Sequence, residues 1–240
     1  MLSVLRKIRK SLLESKSIGT YLLYGIGEIA LVVIGILIAL QIDNNNDWKK
    51  DRTLEKETLE EIAENIALNI QEFEDFTSGN KFADNASDYV LAVLNGDKPY
   101  NDSLQYRINL AIYQKNDLQY SSVAYESLKN NNLNLIRNRA LKKRIVGLFE
   151  LSYPNMLKTF EWENKEALQN YMDHHFFPFS ANGGMAWQPY DFDVQMKDNY
   201  FKTLIAKVKI QRNFYIWTAR NPLNESKEVL QLINEELANQ

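Results

Sequence analysis

The chain is predicted to be all-α, with one N-terminal transmembrane helix followed by an irregular helical-bundle domain outside the cytoplasm. Three observations carry this. Tyr21 to Ile42, YLLYGIGEIALVVIGILIALQI, is an apolar stretch in which the only formal charge is Glu28. Beyond it, apolar residues recur at three and four positions, the spacing that keeps one face of a helix dry. No stretch alternates with period two for long enough to specify a strand.

At ~1.5 Å per residue the apolar segment is about 33 Å long, which matches a hydrocarbon core of ~30 Å. Before it, Met1, Leu5, Ile8 and Leu12 fall at helical spacing, with Arg6, Lys7, Arg9 and Lys10 mostly on the other side. Residues 1–20 therefore suit a basic amphipathic helix on an anionic leaflet, or a plain basic flank that fixes orientation. The apolar run exceeds the ~7 to 15 residues of a signal-peptide core, and no small-x-small cleavage site follows it, so it is expected to be a retained anchor.

Arg6, Lys7, Arg9, Lys10 and Lys16 before the span stand against Lys49, Lys50, Arg52 and Lys56 behind it. This excess places the N-terminus in the cytoplasm. In a bacterium, residues 21–42 then cross the inner membrane once and residues 43–240 form a periplasmic domain.

After the polar exit Asp43 to Asp47, Leu59, Ile62, Ile66, Ile70 and Phe73 mark a long amphipathic helix over about 48–77, with a break at Ser78-Gly79-Asn80. Phe82 to Leu94 is a second helix, closed by Asn95-Gly96 and Pro99. Shorter segments follow: Leu104 to Asn116, then Val123 to Lys129 behind a Ser121-Ser122 cap, then NNNLNL as a loop. Asn138 is placed to cap the helix carrying Leu141, Ile145, Leu148 and Phe149, and Pro154 should start or kink another. Phe160, Leu168 and Met172 continue the pattern to His174-His175. Phe177 to Phe192 is expected as a loop rich in Gly, Pro and aromatics. Phe201, Leu204, Ile205, Val208 and Tyr215 mark the next helix, and Val229, Leu230, Ile233 and Leu237 a last one after Pro222.

Composition narrows the function. The 240 residues carry a net charge of -3, which argues against nucleic acid as a partner. There is no cysteine, so disulfides, thiolate metal sites and a cysteine nucleophile are excluded. No HExxH, Walker-type loop, GxSxG or GxGxxG occurs, and no cofactor is implied. The expected protein is not an enzyme. His174 and His175 are candidate metal ligands with Asp173, but adjacent helical positions do not converge as i, i+4 pairs do. Arg137 to Arg144 is a basic run suited to lipid headgroups or an acidic partner, with a solvated helix face as the default. Trp187, Tyr190 and Phe192 form an aromatic group suited to a ligand groove or to covering a bundle end.

Glu28 is the residue that an inert anchor does not need. A carboxylate in the apolar slab is costly unless it is paired or protonated. Glu28, Val32, Gly35 and Ala39 share one helical face, on which Gly35 and Ala39 form a small-xxx-small pair of the kind that lets membrane helices approach closely. The face suits a seam with a second copy or a membrane-protein partner. The expected function is a membrane-anchored assembly or accessory subunit; the alternative is a ligand-binding sensor or adaptor with a periplasmic helical domain.

The segments LRKIRKSLL, Gly27-Glu28-Ile29 and Gly35-Ile36-Leu37-Ile38-Ala39-Leu40-Gln41-Ile42 closely resemble the start of a Bacteroidota family of single-span membrane proteins of unknown function. Ala124-Tyr125-Glu126-Ser127-Leu128 and the Asn-Leu stretch to Ile136 resemble its outer domain more loosely. The exit Asp43-Asn44-Asn45-Asn46-Asp47-Trp48 departs from the family's Asn-Trp-Asn-Glu type. The resemblance implies an inner-membrane protein with a helical extracytoplasmic domain and supplies no activity.

Overall fold

The computed structural model describes residues 18–101, 103–113, 118–158, 165–181 and 184–239. The chain divides into two units, one ending at Glu55 and one covering Lys56–Gln240. The fold is all-α, with one two-stranded hairpin among the helices.

Helix α1 spans Ile18–Leu94. In the first unit it holds an 18-residue window of mean hydropathy 2.3, none of it buried, long and apolar enough to cross a membrane. The polar residues Asp43 to Asp47 are helical as well. Behind them, Thr53 Oγ1 donates to the Lys49 carbonyl (3.1 Å) and Arg52 Nη1 pairs with the buried Glu55 (2.9 Å).

In the second unit α1 buries Leu59, Ile62, Ile66, Phe73, Phe76, Ala83 and Val90 on one face. The helix runs through Ser78-Gly79-Asn80, where the sequence suggested a break. The reason is local: Ser78 Oγ donates to the Asp75 carbonyl (3.0 Å) and Asn80 Nδ2 to the Phe76 carbonyl (2.8 Å), so these polar groups are satisfied by α1 itself. Termination comes at Asn95-Gly96 as expected. Gly96 sits at φ 83, and the Asp97 amide donates to the Ala92 carbonyl (2.8 Å).

The next helices are α2 (Ser103–Tyr113), α3 (Val123–Asn131), α4 (Arg139–Gly147), α5 (Tyr153–Lys158) and α6 (Lys165–His175). Asn138 Oδ1 accepts from the Ala140 and Leu141 amides (3.1 Å each), the predicted cap. Ser122 makes no side-chain cap for α3; instead Asn69 on α1 grips the Ser121 backbone through both its amide groups (2.7 and 2.9 Å). A 3-10 turn over Leu133–Leu135 occupies the expected NNNLNL loop. A π-turn over Leu148–Ser152 joins α4 to α5, and Pro154 sits in the first turn of α5, where its missing N–H costs nothing. Phe160 lies outside the described residues.

The segment expected as a loop contains a hairpin, β1 (Phe176–Ala181) and β2 (Gly184–Pro189), antiparallel with Phe176 opposite Pro189. Its prolines are tolerated because both strands of a two-stranded sheet are edges. After α7 (Phe192–Lys197), helix α8 runs unbroken over Asn199–Ala238 with Pro222 inside it, where the sequence suggested two helices. Asp198 caps it, accepting from the Tyr200 amide (2.7 Å).

Lys209 meets Asp84 while Lys227 meets Glu74, so α8 lies antiparallel to this part of α1. One core cluster joins Leu59 to Phe76 of α1 with α3 to α5 and Ala219, Val229 and Ile233 of α8. The other joins Ala86 and Val90 with α2, α6, the hairpin and Phe201 to Val208. Each large apolar side chain so buried stabilises the fold by ~1.5–3 kcal/mol.

Candidate functional site

Glu28, Val32, Gly35 and Ala39 all lie on the helical, exposed part of α1 in the first unit. A Cβ placed on Gly25, Gly27 or Gly35 meets nothing within 4 Å, so the backbone of this stretch is open to close approach. The face combines one carboxyl group with small residues and has exposed Ile29, Val32 and Ile36 beside it. Such a surface offers van der Waals packing and one strong hydrogen-bonding group. Arg6, Lys7, Arg9 and Lys10 lie outside the described residues.

The histidines do not converge. His174 Nδ1 lies 2.6 Å from the Asn170 carbonyl on the solvent side of α6. His175 turns the other way, its ring 4.4 Å from that of Tyr171 and its Nδ1 3.2 Å from Gln195 Nε2, while its carbonyl accepts from the Tyr190 amide (3.0 Å). Asp173 accepts from Gln169 (2.7 Å). Among the described residues no three His, Asp or Glu side chains gather as a metal site. The Tyr171 hydroxyl donates to Asp198 (2.5 Å), which with helix-capping amides holds the Asp198 carboxyl below its usual range; burial and the same bond push the Tyr171 phenol up.

The basic run is partly used inside the fold: Arg144 pairs with Glu228, and Lys142 donates to Asn134 (3.2 Å). The aromatic group is dispersed. Trp187 stacks on Tyr113 (5.6 Å), Tyr190 packs on Phe177 (5.5 Å) and Phe192 on Tyr100 (4.6 Å).

Three features were not singled out from sequence. Arg212 is buried, donating to Ser87 Oγ (3.0 Å) and to the Ala111 carbonyl (2.8 Å) near the end of α2. Beside it Lys209 bridges Asp84 (2.8 Å) and Asp88 (3.2 Å). Secondly, the Gln105 Nε2, Tyr113 Oη and Trp187 Nε1 atoms are buried without a hydrogen-bond partner among the described residues. Gln105, Asn109 and Tyr113 share one face of α2 at i, i+4, i+8 spacing, and Asn109 clasps the Trp187 backbone through both its amide groups (2.7 and 3.0 Å). Burial and the charge of Asp173 raise the Tyr113 phenol. Thirdly, Ile210, Phe214 and Trp217 stand exposed on the outer face of α8. The spacing of that last group is legible in the sequence, but the longer inward stripe of the same helix dominates the pattern.

Fold and site together define an all-α protein with, among the described residues, one helix long and apolar enough to cross a membrane. Comparison with protein-family profiles, curated proteins and solved structures finds no match for the chain.

Proposed function

We propose that the protein is a membrane-anchored assembly or accessory subunit without catalysis of its own, packing through the Glu28, Gly35 and Ala39 face of a single inner-membrane span. The N-terminus is cytoplasmic and the helical domain periplasmic, with a second copy or a membrane protein on the Glu28 face. The observation that carries this reading is the open backbone at Gly35, on the Glu28 face of an apolar helix with no buried residue in its 18-residue window. The resemblance of the span to the Bacteroidota family fits the same topology. Mild solubilisation, intact-particle mass spectrometry and Glu28→Gln and Gly35→Leu variants test it. Loss of a defined assembly in either variant is expected; unchanged copy number and co-purifying partners in both would refute it.

A second reading, a sensor or adaptor, is favoured by the unpartnered polar atoms of Gln105, Tyr113 and Trp187. Two are obligate donors, so a ligand that reached them would have to carry carbonyl or carboxylate acceptors. Such a ligand raises the melting temperature by preferential binding and changes Trp187 fluorescence. A Trp187→Phe protein that melts and responds like the parent would exclude it.

A further inference from the structure

The outer face of α8 carries a second pattern. Thr203, Lys207, Ile210, Phe214, Trp217, Asn221, Asn224 and Glu228 recur at alternating spacings of four and three, and all of them are exposed. This is the a/d repeat of a coiled-coil seam, with Lys207, Phe214, Asn221 and Glu228 at one position and Thr203, Ile210, Trp217 and Asn224 at the other. Its centre is apolar and uncovered: Ile210 is 70 % exposed, Phe214 44 % and Trp217 62 %, with the last two rings stacked at 6.2 Å. The opposite face of the same helix is already buried in the core, so the seam is not needed for folding.

We propose that this seam is a contact between two copies of the chain, with their α8 helices parallel and in register. Two features select a second copy in that orientation. Asn221 stands at an a position beside the apolar centre, where a buried Asn pairs with its equivalent and fixes register at some cost in stability. The flanking residues complete the pattern. In a parallel pair, each g residue meets the following e′ residue of the other helix. Here Arg220 occupies g and Glu225 the matching e position, giving two symmetric ion pairs of opposite sign. Arg220 makes no ion pair among the described residues, and Glu225 uses one carboxylate oxygen on Ser152.

Three apolar side chains fall short of the roughly 800 Å² per partner of a standard interface. The seam therefore acts with a second contact, and to that extent the inference rests on the reading that the span also associates. Once copies are held together, the second contact forms at high effective concentration.

The absence of cysteine makes the test direct, because one introduced thiol is the only one in the chain. Full-length Asn221→Cys in native membranes should form a disulfide-linked dimer on mild oxidation, at least about tenfold faster than Lys81→Cys on exposed α1. Adding Trp217→Ala should lower cross-linking by about tenfold or more, as for an aromatic anchor. Arg220→Glu should lower it too, and the exchange Arg220→Glu with Glu225→Arg should restore it. Asn221→Cys no faster than Lys81→Cys overturns the proposal. So does cross-linking between Lys207→Cys and Glu225→Cys chains in its place, which marks an antiparallel pair, or capture of a different protein at Trp217→Cys. The two readings separate cleanly. Ala39→Cys cross-linking without Asn221→Cys cross-linking sinks the seam alone, whereas Asn221→Cys dimers that survive alongside inert Glu28→Gln and Gly35→Leu variants sink the span contact alone.

Discussion

Substituting Asp84 by Asn probes what holds α8 in its rotational setting. Asp84 takes Lys209 at 2.8 Å through one oxygen and Asn213 at 2.9 Å through the other, and its charge also faces the buried Arg212. Side-chain exposure is 23 % for Lys209 and 16 % for Asp84, so solvent screens the pair only in part. At an effective dielectric of 20, opposite charges ~4 Å apart attract by about 4 kcal/mol. Part of this returns when Asp84 is neutralised, because Lys209 keeps Asp88 at 3.2 Å. A net loss of about 2 kcal/mol remains, equivalent to a fall in melting temperature of ~4–8 °C for a chain of this size. Asp88, whose side chain is 60 % exposed, is the control: Asp88→Asn should cost about 0.5 kcal/mol or less.

Differential scanning fluorimetry of the intact chain in mild detergent reads both. Lys209→Met added to Asp84→Asn should recover most of the loss, since the unpaired cation is then gone. The pH dependence carries a sign. Burial lowers the Lys209 pKa, but the two carboxylates outweigh it and hold the ammonium above its ordinary value. Its folded pKa exceeds the unfolded one, so the contribution is complete below ~10.4 and fades as pH rises through the folded value. The Asp84→Asn deficit should therefore shrink in strong alkali. Equal effects of Asp84→Asn and Asp88→Asn would refute the reasoning, and so would a deficit independent of pH.

Tyr153→Phe should cost about 1 kcal/mol in a denaturant titration, because the Ser226 hydroxyl it meets at 2.8 Å still donates to the Pro222 carbonyl; Tyr153→Ala should cost ~3–5 kcal/mol by removing ring contacts to Phe73, Tyr120 and Phe149. Asn69→Ala leaves both Ser121 backbone groups unpaired and should cost about 2 kcal/mol in the same assay. The Asp198 carboxyl is held low by Tyr171, so its contribution is present above pH ~3.9 and lost as pH falls through the lower folded value; Asp198→Asn, which keeps a capping oxygen, should lower neutral stability and flatten that acid limb.

The helices were legible wherever an apolar stripe met a strong stop. Gly96 shows this well, since only a residue tolerant of positive φ closes α1 there. Breakers in helix interiors misled for a physical reason. Ser78 and Asn80 bond to carbonyls of α1 itself, and Pro222 is buried in α8 with its own carbonyl taken by Ser226, so side-chain bonding within the helix, joined by burial at Pro222, overrides local propensity. The hairpin escaped because Pro178 and Pro189 mask its alternation. Asn69 gripping Ser121 and Arg212 reaching Ala111 link positions far apart in sequence, and no local pattern encodes such pairs. The Glu28 face, by contrast, needed only helical spacing.

What the fold leaves unused bears on function more than what it uses. His174 and His175 are engaged with Asn170, Gln195 and Tyr171, Arg144 with Glu228, and Lys209 with two carboxylates, so these particular groups are held by contacts within the chain. Two of the exposed sets are mainly apolar. On α1 they are aliphatic side chains beside glycines and one carboxyl group; on α8 they are Ile210, Phe214 and Trp217. Apolar groups left in water are unfavourable at ~25 cal/mol per Å², and covering them is how that free energy is recovered. The Arg212 and Lys209 contacts on the inner face of α8 fix the rotation that leaves Ile210, Phe214 and Trp217 outward, which is the surface the proposed seam needs.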